Sequence, residues 1–145
     1  MFEVTMPITS HQRVLVQSSF AKLIENIDTA TVIFFDQLFQ IDPSLKPLFI
    51  GEMSVQGRKM IQTLLVIVNT LNDPAAVGSV IRQTSLRHVT YGVKEAYYEP
   101  VGRALIATIR QSLGAESSPE IEEAWTAAYD LVATIAKAAA YTTGA

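Results

Sequence analysis

The 145-residue sequence contains no cysteine, which excludes disulfide bonds, thiolate metal sites, cysteine nucleophiles and thioether-linked cofactors. It also contains no run of basic residues, and its net charge of -3 indicates no surface for nucleic acid or anionic lipid. The longest aliphatic run, residues 64–68, is far too short to cross a bilayer. Because no basic and apolar leader opens the chain, we expect a cytoplasmic protein with no membrane or nucleic-acid partner.

The common enzyme motifs are absent as well. The sequence contains no G-x-G-x-x-G, no G-x-S-x-G and no H-E-x-x-H. The stretch from Gly51 to Lys59 superficially resembles a phosphate loop, but Gly51 and Gly57 are one residue too far apart and Arg58 stands where lysine is needed. We therefore predict no catalytic residue, and an enzymatic role stays an open alternative.

The residues that are present favour a compact fold. Hydrophobic residues make up 49% of the sequence and charged residues 17%, a balance that supports an apolar interior large enough to enclose a cofactor. We find no internal repeat and no long Ser/Gly linker. The expected organisation is a single domain over residues 1–145, with residues 1–8 as an N-terminal extension.

Capping residues, prolines and apolar spacing predict an all-α fold of about seven helices. The run at 64–68 is rich in β-formers, but the surrounding apolar residues recur every three or four positions, which favours helix. The expected helices run from Thr9 to Asn26, from Asp28 or Thr29 to near Asp42, from Pro43 to Leu48, from Ser54 to Leu71, from Pro74 to Gly92, from between Glu95 and Glu99 to Gly114, and from Ser118 onward.

The sequence contains only two histidines, too few for a usual zinc site in a chain without cysteine. His88 falls on an inward stripe with Val77, Ile81 and Thr84, whereas His11 stands near the exposed start of the first helix. On these residues alone, His88 is either an ordinary buried histidine or a single axial ligand to a porphyrin iron, whose ring supplies the other four nitrogens.

Several short segments occur in an order and spacing that match a known family. They are Phe34–Phe39, Asp42–Pro43 with Pro47–Phe49, Gln56–Met60, Arg87–His88 with Tyr91–Val93, Tyr98 with Val101–Gly102, and Ala124–Trp125 with Ala128–Tyr129. From about Thr9 to Ala140, the chain resembles the single-domain bacterial globins and the globin half of flavohaemoglobins. The resemblance implies a globin fold around a haem pocket.

The resemblance also implies roles for individual residues. His88 would be the proximal ligand of one haem b, with oxygen, carbon monoxide or nitric oxide bound at the opposite face. Phe49 would wedge the haem, and Gln56 and Met60 would face the gas one helical turn apart. On the residues alone, Phe49 could instead anchor a turn, Gln56 could be solvated and Met60 could be core. Further candidate haem contacts are Phe35, Arg87, Val93 and Tyr98.

Two positions depart from the family pattern. Where the family often carries a distal tyrosine that donates to oxygen, this sequence has Phe35, which has no hydroxyl. A glutamate on the last helix, which pairs with the tyrosine matched by Tyr98, falls here at Ala140. The resemblance therefore does not imply strong peroxidase-like chemistry for this chain.

The resemblance leaves several functions open. The first is reversible gas binding for oxygen storage or transport. The second is nitric oxide dioxygenase or nitrite reductase activity with an external reductase, since no reductase domain follows Ala145 in this sequence. A haem-based gas sensor and a haem-free interaction domain are the others. We expect a monomer or a homodimer.

Overall fold

A computed structural model of the chain describes residues 8–49, 53–90 and 94–141, without the side chains at 53, 54, 74, 85, 87–90, 140 and 141. These residues form six α-helices and no strand. The α-helices are α1 (Ser10–Ile24), α2 (Ile27–Ile41), α3 (Met53–Asn69), α4 (Pro74–Thr90), α5 (Tyr98–Leu113) and α6 (Pro119–Tyr141). Three 3-10 helices also occur, at Pro43–Leu48, Glu95–Tyr97 and Gly114–Glu116. The expected all-α fold is confirmed.

Side-chain caps start several of the helices where the sequence predicted. Thr9 accepts a bond from the Gln12 backbone at 3.0 Å, and the Gln12 amide oxygen accepts one from the Thr9 backbone, also at 3.0 Å. Asp73 accepts from the backbone N–H of Ala76 at 3.2 Å. These bonds satisfy N–H groups that have no partner within the helix, so the predicted starts of α1 and α4 are confirmed.

The inward face of α2 differs in part from the one that its apolar spacing predicts. That spacing predicts an inward stripe of Val32, Phe35, Leu38 and Phe39, but Val32 is 60% exposed. The buried residues of α2 are Ala30, Thr31, Phe34, Phe35 and Leu38. They lie three or four positions apart and so form one face, from which Val32 is turned away by the 100° step between successive residues.

A polar contact inside the core joins α1 to α6. The indole Nε1 of Trp125 donates to the Ser19 hydroxyl at 2.8 Å, and the Ser19 hydroxyl donates to the Leu15 carbonyl oxygen at 2.6 Å. The Phe20 ring packs against Trp125 with centroids 6.0 Å apart. The buried polar atoms therefore have partners, as a low-dielectric interior requires.

Helices α3 and α4 rest on different neighbours, although a short turn at residues 70–73 joins them. Helix α3 packs on α2 and α1, whereas α4 packs chiefly on α6. Helix α5 in turn packs on α2. None of the helices in the described ranges is long and apolar enough to cross a membrane.

Candidate functional site

The predicted ligand on α4 and the predicted distal residues on α3 both lie far from the turn that joins the two helices. Met60 lies roughly 15 Å along α3 from the connecting turn, and His88 lies roughly 20 Å along α4 from it, at a rise of about 1.5 Å per residue. Gln56 is one turn farther from the connection than Met60. A group held between the two helices requires this arrangement.

An aromatic cluster adjoins this end of α3. Phe35 is 5% exposed, and its ring lies edge-to-face against Phe49 with centroids 5.0 Å apart. Phe39 stacks on Phe35 at 5.7 Å and also contacts Phe49 at 5.8 Å. The fold thus brings together two predicted site residues, Phe35 and Phe49, that are distant in the sequence. The sequence analysis did not include Phe39 among the site residues. Its position four residues after Phe35 could have indicated it, because residues four apart share one side of a helix.

The Thr31 side chain of α2 lies directly against the α3 backbone at Gly57. A Cβ on Gly57 would overlap Thr31 Cγ2 and would lie 2.8 Å from Thr31 Oγ1 and 2.9 Å from Thr31 Cβ. Thr31 is 5% exposed, and its hydroxyl donates to the Ile27 carbonyl oxygen at 2.8 Å. Only glycine fits at position 57 without moving one helix.

Gln56 and Met60 are both half-buried on α3. Met60 packs against the main core. Because the two residues are four positions apart, they share one side of the helix. This side therefore carries one amide, which can donate a hydrogen bond, and one apolar thioether.

The proximal side is described in part. The backbones of Arg87 and His88 lie in the last turns of α4, while their side chains and all of Val93 lie outside the described residues. Val77 and Ile81 are buried, at 0% and 2% exposed, and Thr84 is half-buried, so the stripe that leads to His88 faces the interior over its first two positions. The ligand role of His88 remains a prediction.

Tyr98, at the start of α5, is held from two sides by α6. The Tyr129 hydroxyl donates to the Tyr98 carbonyl oxygen at 2.6 Å, and Lys137 Nζ lies 6.0 Å from the centroid of the Tyr98 ring. Burial raises the pKa of Tyr129 well above its usual range, so this hydroxyl remains a donor at neutral pH. Sequence reasoning assigned no role to Tyr129 or Lys137, whose contacts join residues about thirty positions or more apart.

The remaining titratable clusters do not resemble a site. His11 is exposed, and its Nε2 lies 3.7 Å from Glu120 Oε2. Two open clefts of about 580 and 550 Å³ lie along α5 and α6, and their walls carry Arg110 paired with Glu122 at 2.6 Å. That hydrogen bond raises the pKa of Arg110 and lowers the pKa of Glu122. No group of three or more His, Asp or Glu residues in the described part of the chain is placed to hold a metal ion.

Comparison with known proteins identifies relatives along most of the sequence. The family profile described as Globin matches residues 32–136. A flavohemoprotein of Bordetella pertussis is 30% identical over 127 residues, which cover 85% of this chain and 31% of that protein. Leghemoglobin-1 of Lupinus luteus is 34% identical over 144 residues, which cover 90% of this chain and 94% of that protein. The chain therefore spans about a third of the length of the flavohemoproteins that it matches.

Proposed function

This chain belongs to the globin family, and on that premise we propose that it holds one haem b through His88 and reversibly binds oxygen or another small gas beside Gln56. One observation carries the proposal. His88 is the only histidine within the matched residues 32–136, and it lies on α4, the helix that follows the one carrying Gln56. A porphyrin iron needs only one such imidazole from the protein.

The described residues fit a flat, largely apolar group. Phe49, Met60 and Leu64 are apolar but only half-buried, so other parts of the chain do not fully cover them. A haem seated between α3 and α4 would cover such surfaces and gain the free energy of their burial. The Phe35 and Phe39 rings pack against Phe49 and would hold its ring in place against the haem.

Bound haem supplies an iron atom that coordinates a diatomic gas reversibly. The imidazole of His88 would hold this iron from α4. The Gln56 amide N–H would donate a hydrogen bond to oxygen, which gains partial negative charge from a ferrous haem, whereas carbon monoxide would accept this bond only weakly. Phe35 and Phe49 exclude water, and the low local dielectric strengthens the Gln56 bond.

The similarity to flavohemoproteins favours a second candidate, oxidation of nitric oxide or reduction of nitrite. Sustained turnover in either reaction consumes electrons, and we propose that a reductase supplies them. Turnover with a generic reductase would support this role, and its absence beside stable oxygen binding would favour a carrier.

The test is the visible absorption spectrum of the purified protein with two matched variants. We expect an intense Soret band in the native protein and loss of most haem in His88→Ala, with helical circular dichroism retained, because no second histidine lies on α3 or α4 to replace it. The control is His11→Ala, which should keep both haem and spectrum. Full haem retention with an unchanged spectrum in His88→Ala would show that His88 is not the ligand.

A further inference from the structure

The contact between Gly57 and Thr31 lies among the residues that face the proposed gas site. On α2, Phe35 is one turn beyond Thr31 on the same buried face. On α3, Gln56 is adjacent to Gly57 and Met60 follows three positions later. The separation of the two helices at this contact therefore sets how far the Gln56 amide lies from the Phe35 side of the pocket.

We propose that Gly57 and Thr31 are positioning residues that hold the Gln56 donor within reach of bound oxygen, and so set the selectivity between oxygen and carbon monoxide. The inference rests on the proposed function and adds to it what controls gas selectivity. Neither residue needs to touch the gas. Their part is to let the backbones of α2 and α3 approach more closely than two larger side chains would allow.

The distance between α2 and α3 should affect the release of oxygen more than the release of carbon monoxide. Relief of the overlap between a new Cβ and Thr31 requires the two helices to separate by roughly 1.5 to 2 Å, since carbon atoms pack at about 3.5 to 4 Å. A hydrogen bond of ordinary length does not survive a displacement of that size, because donor and acceptor at about 3.6 Å no longer form one. Apolar contacts fall off more gradually, so a gas that depends on them should respond little.

The experiment is stopped-flow release of oxygen and of carbon monoxide from the haem-loaded Gly57→Ala protein. We expect oxygen to leave about tenfold faster and carbon monoxide to change by about twofold or less. Because Gly57 acts through Gln56, the double variant Gly57→Ala with Gln56→Leu should release oxygen no faster than Gln56→Leu alone. Independent, multiplying effects would overturn the proposal, as would equal acceleration of both gases.

Two further variants keep the test decisive. Gly78→Ala on α4 is the matched control, because its new Cβ would meet only the end of the Arg82 side chain, at 3.1 Å, and gas release should stay unchanged. If Gly57→Ala fails to fold, Thr31→Gly combined with Gly57→Ala moves the added volume across the contact and should restore near-native oxygen release. A swap that folds but releases oxygen as fast as Gln56→Leu contradicts the proposal. If the native protein binds no haem, both the proposed function and this inference are wrong.

Discussion

At the scale of single residues, the proposed gas site depends on one amide and several phenyl rings. Gln56 is the one polar side chain among the predicted distal residues Phe35, Phe49, Gln56 and Met60. A lone donor in an apolar surrounding forms a stronger hydrogen bond than the same group in water, and its removal has no nearby substitute among those residues. Retention of oxygen should therefore respond strongly to this position.

Replacement of Gln56 by leucine tests that dependence. Loss of a hydrogen bond to a partly charged ligand costs about 1 to 3 kcal/mol, so oxygen should leave about ten- to a hundredfold faster. Carbon monoxide release should change little, because that ligand carries less charge. Gln62→Leu on the exposed side of α3 is the control and should alter neither rate. Equal effects on both gases would mean that Gln56 governs access and not hydrogen bonding.

Phe35 and Phe34 offer a test of which ring faces the gas. Both are buried, and their centroids are 5.4 Å apart, but Phe35 contacts Phe49 at 5.0 Å. Phe35→Tyr should add a hydroxyl donor worth about 1 to 2 kcal/mol to bound oxygen and slow its release about five- to tenfold or more.

The matched variant Phe34→Tyr should not slow oxygen release, because its side chain leaves the helix about 100° away from that of Phe35. Stopped-flow measurement of oxygen release from both variants shows which of the two residues on α2 faces the gas. A greater slowing in Phe34→Tyr would show that the distal position is 34, and equal rates would show that neither ring faces the gas.

At the scale of helices, the junction between α5 and α6 depends on a glycine and a tyrosine. A Cβ on Gly102 would lie 2.5 Å from the Tyr129 ring, so the ring sits directly on the α5 backbone. From there, the Tyr129 hydroxyl reaches the carbonyl oxygen of Tyr98 in the first turn of α5. The junction thus fixes the part of α5 that carries the predicted haem contact Tyr98.

Two substitutions measure separately what the Tyr129 hydroxyl and the close packing on Gly102 contribute to stability. Tyr129→Phe removes one hydrogen bond and should lower the free energy of unfolding by about 1 kcal/mol. Gly102→Ala forces the ring off the helix and should cost about 1 to 3 kcal/mol through strain. Urea denaturation of both variants measures these values, and a harmless Gly102→Ala would contradict the close contact.

Because the pKa of Tyr129 is raised in the folded protein, the stability that its hydroxyl contributes depends on pH. In the unfolded chain the phenol ionises near its ordinary value of 10.0, whereas burial keeps it protonated in the folded protein. The hydroxyl therefore contributes its full stability below about pH 10, and that contribution falls as the pH rises further. The stability difference between native protein and Tyr129→Phe should shrink above pH 10, and a difference that grows there would refute this account.

At the scale of the whole molecule, haem binding and folding should be coupled. The proposed haem would cover half-buried apolar side chains on α3 and contact α4, two helices that rest on different neighbours. Because only the folded chain offers such a site, haem at a concentration about a hundredfold above its dissociation constant should stabilise the fold by about 2.7 kcal/mol.

The melting temperature reports this coupling. For a domain of this size we expect haem to raise it by about 5 to 10 °C. His88→Ala should melt with little change when haem is added, since its site lacks the ligand. An equal rise in His88→Ala would mean that haem binds without this residue.

Much of the fold could be read from local signals in the sequence. Thr9 and Asp73 cap α1 and α4 as predicted, and the apolar stripe from Val77 to Ile81 is buried. These signals succeed because capping involves neighbours three residues apart and because helical periodicity appears directly in the order of residues. The exposure of Val32 could not be predicted in this way, since an apolar residue within a helix does not by itself indicate which face of the helix is buried.

The sequence by itself determined the helices and, through its lack of cysteine, excluded thiolate metal sites, and it predicts His88 as the haem ligand. Only the tertiary structure decided that Gly57 meets Thr31, that Phe49 packs on Phe35 and Phe39, and that Tyr129 reaches the carbonyl of Tyr98. The reason is physical: helix caps and stripes arise from bonds between near neighbours, whereas the separation of two helices depends on the sizes of side chains that meet only after the chain has folded.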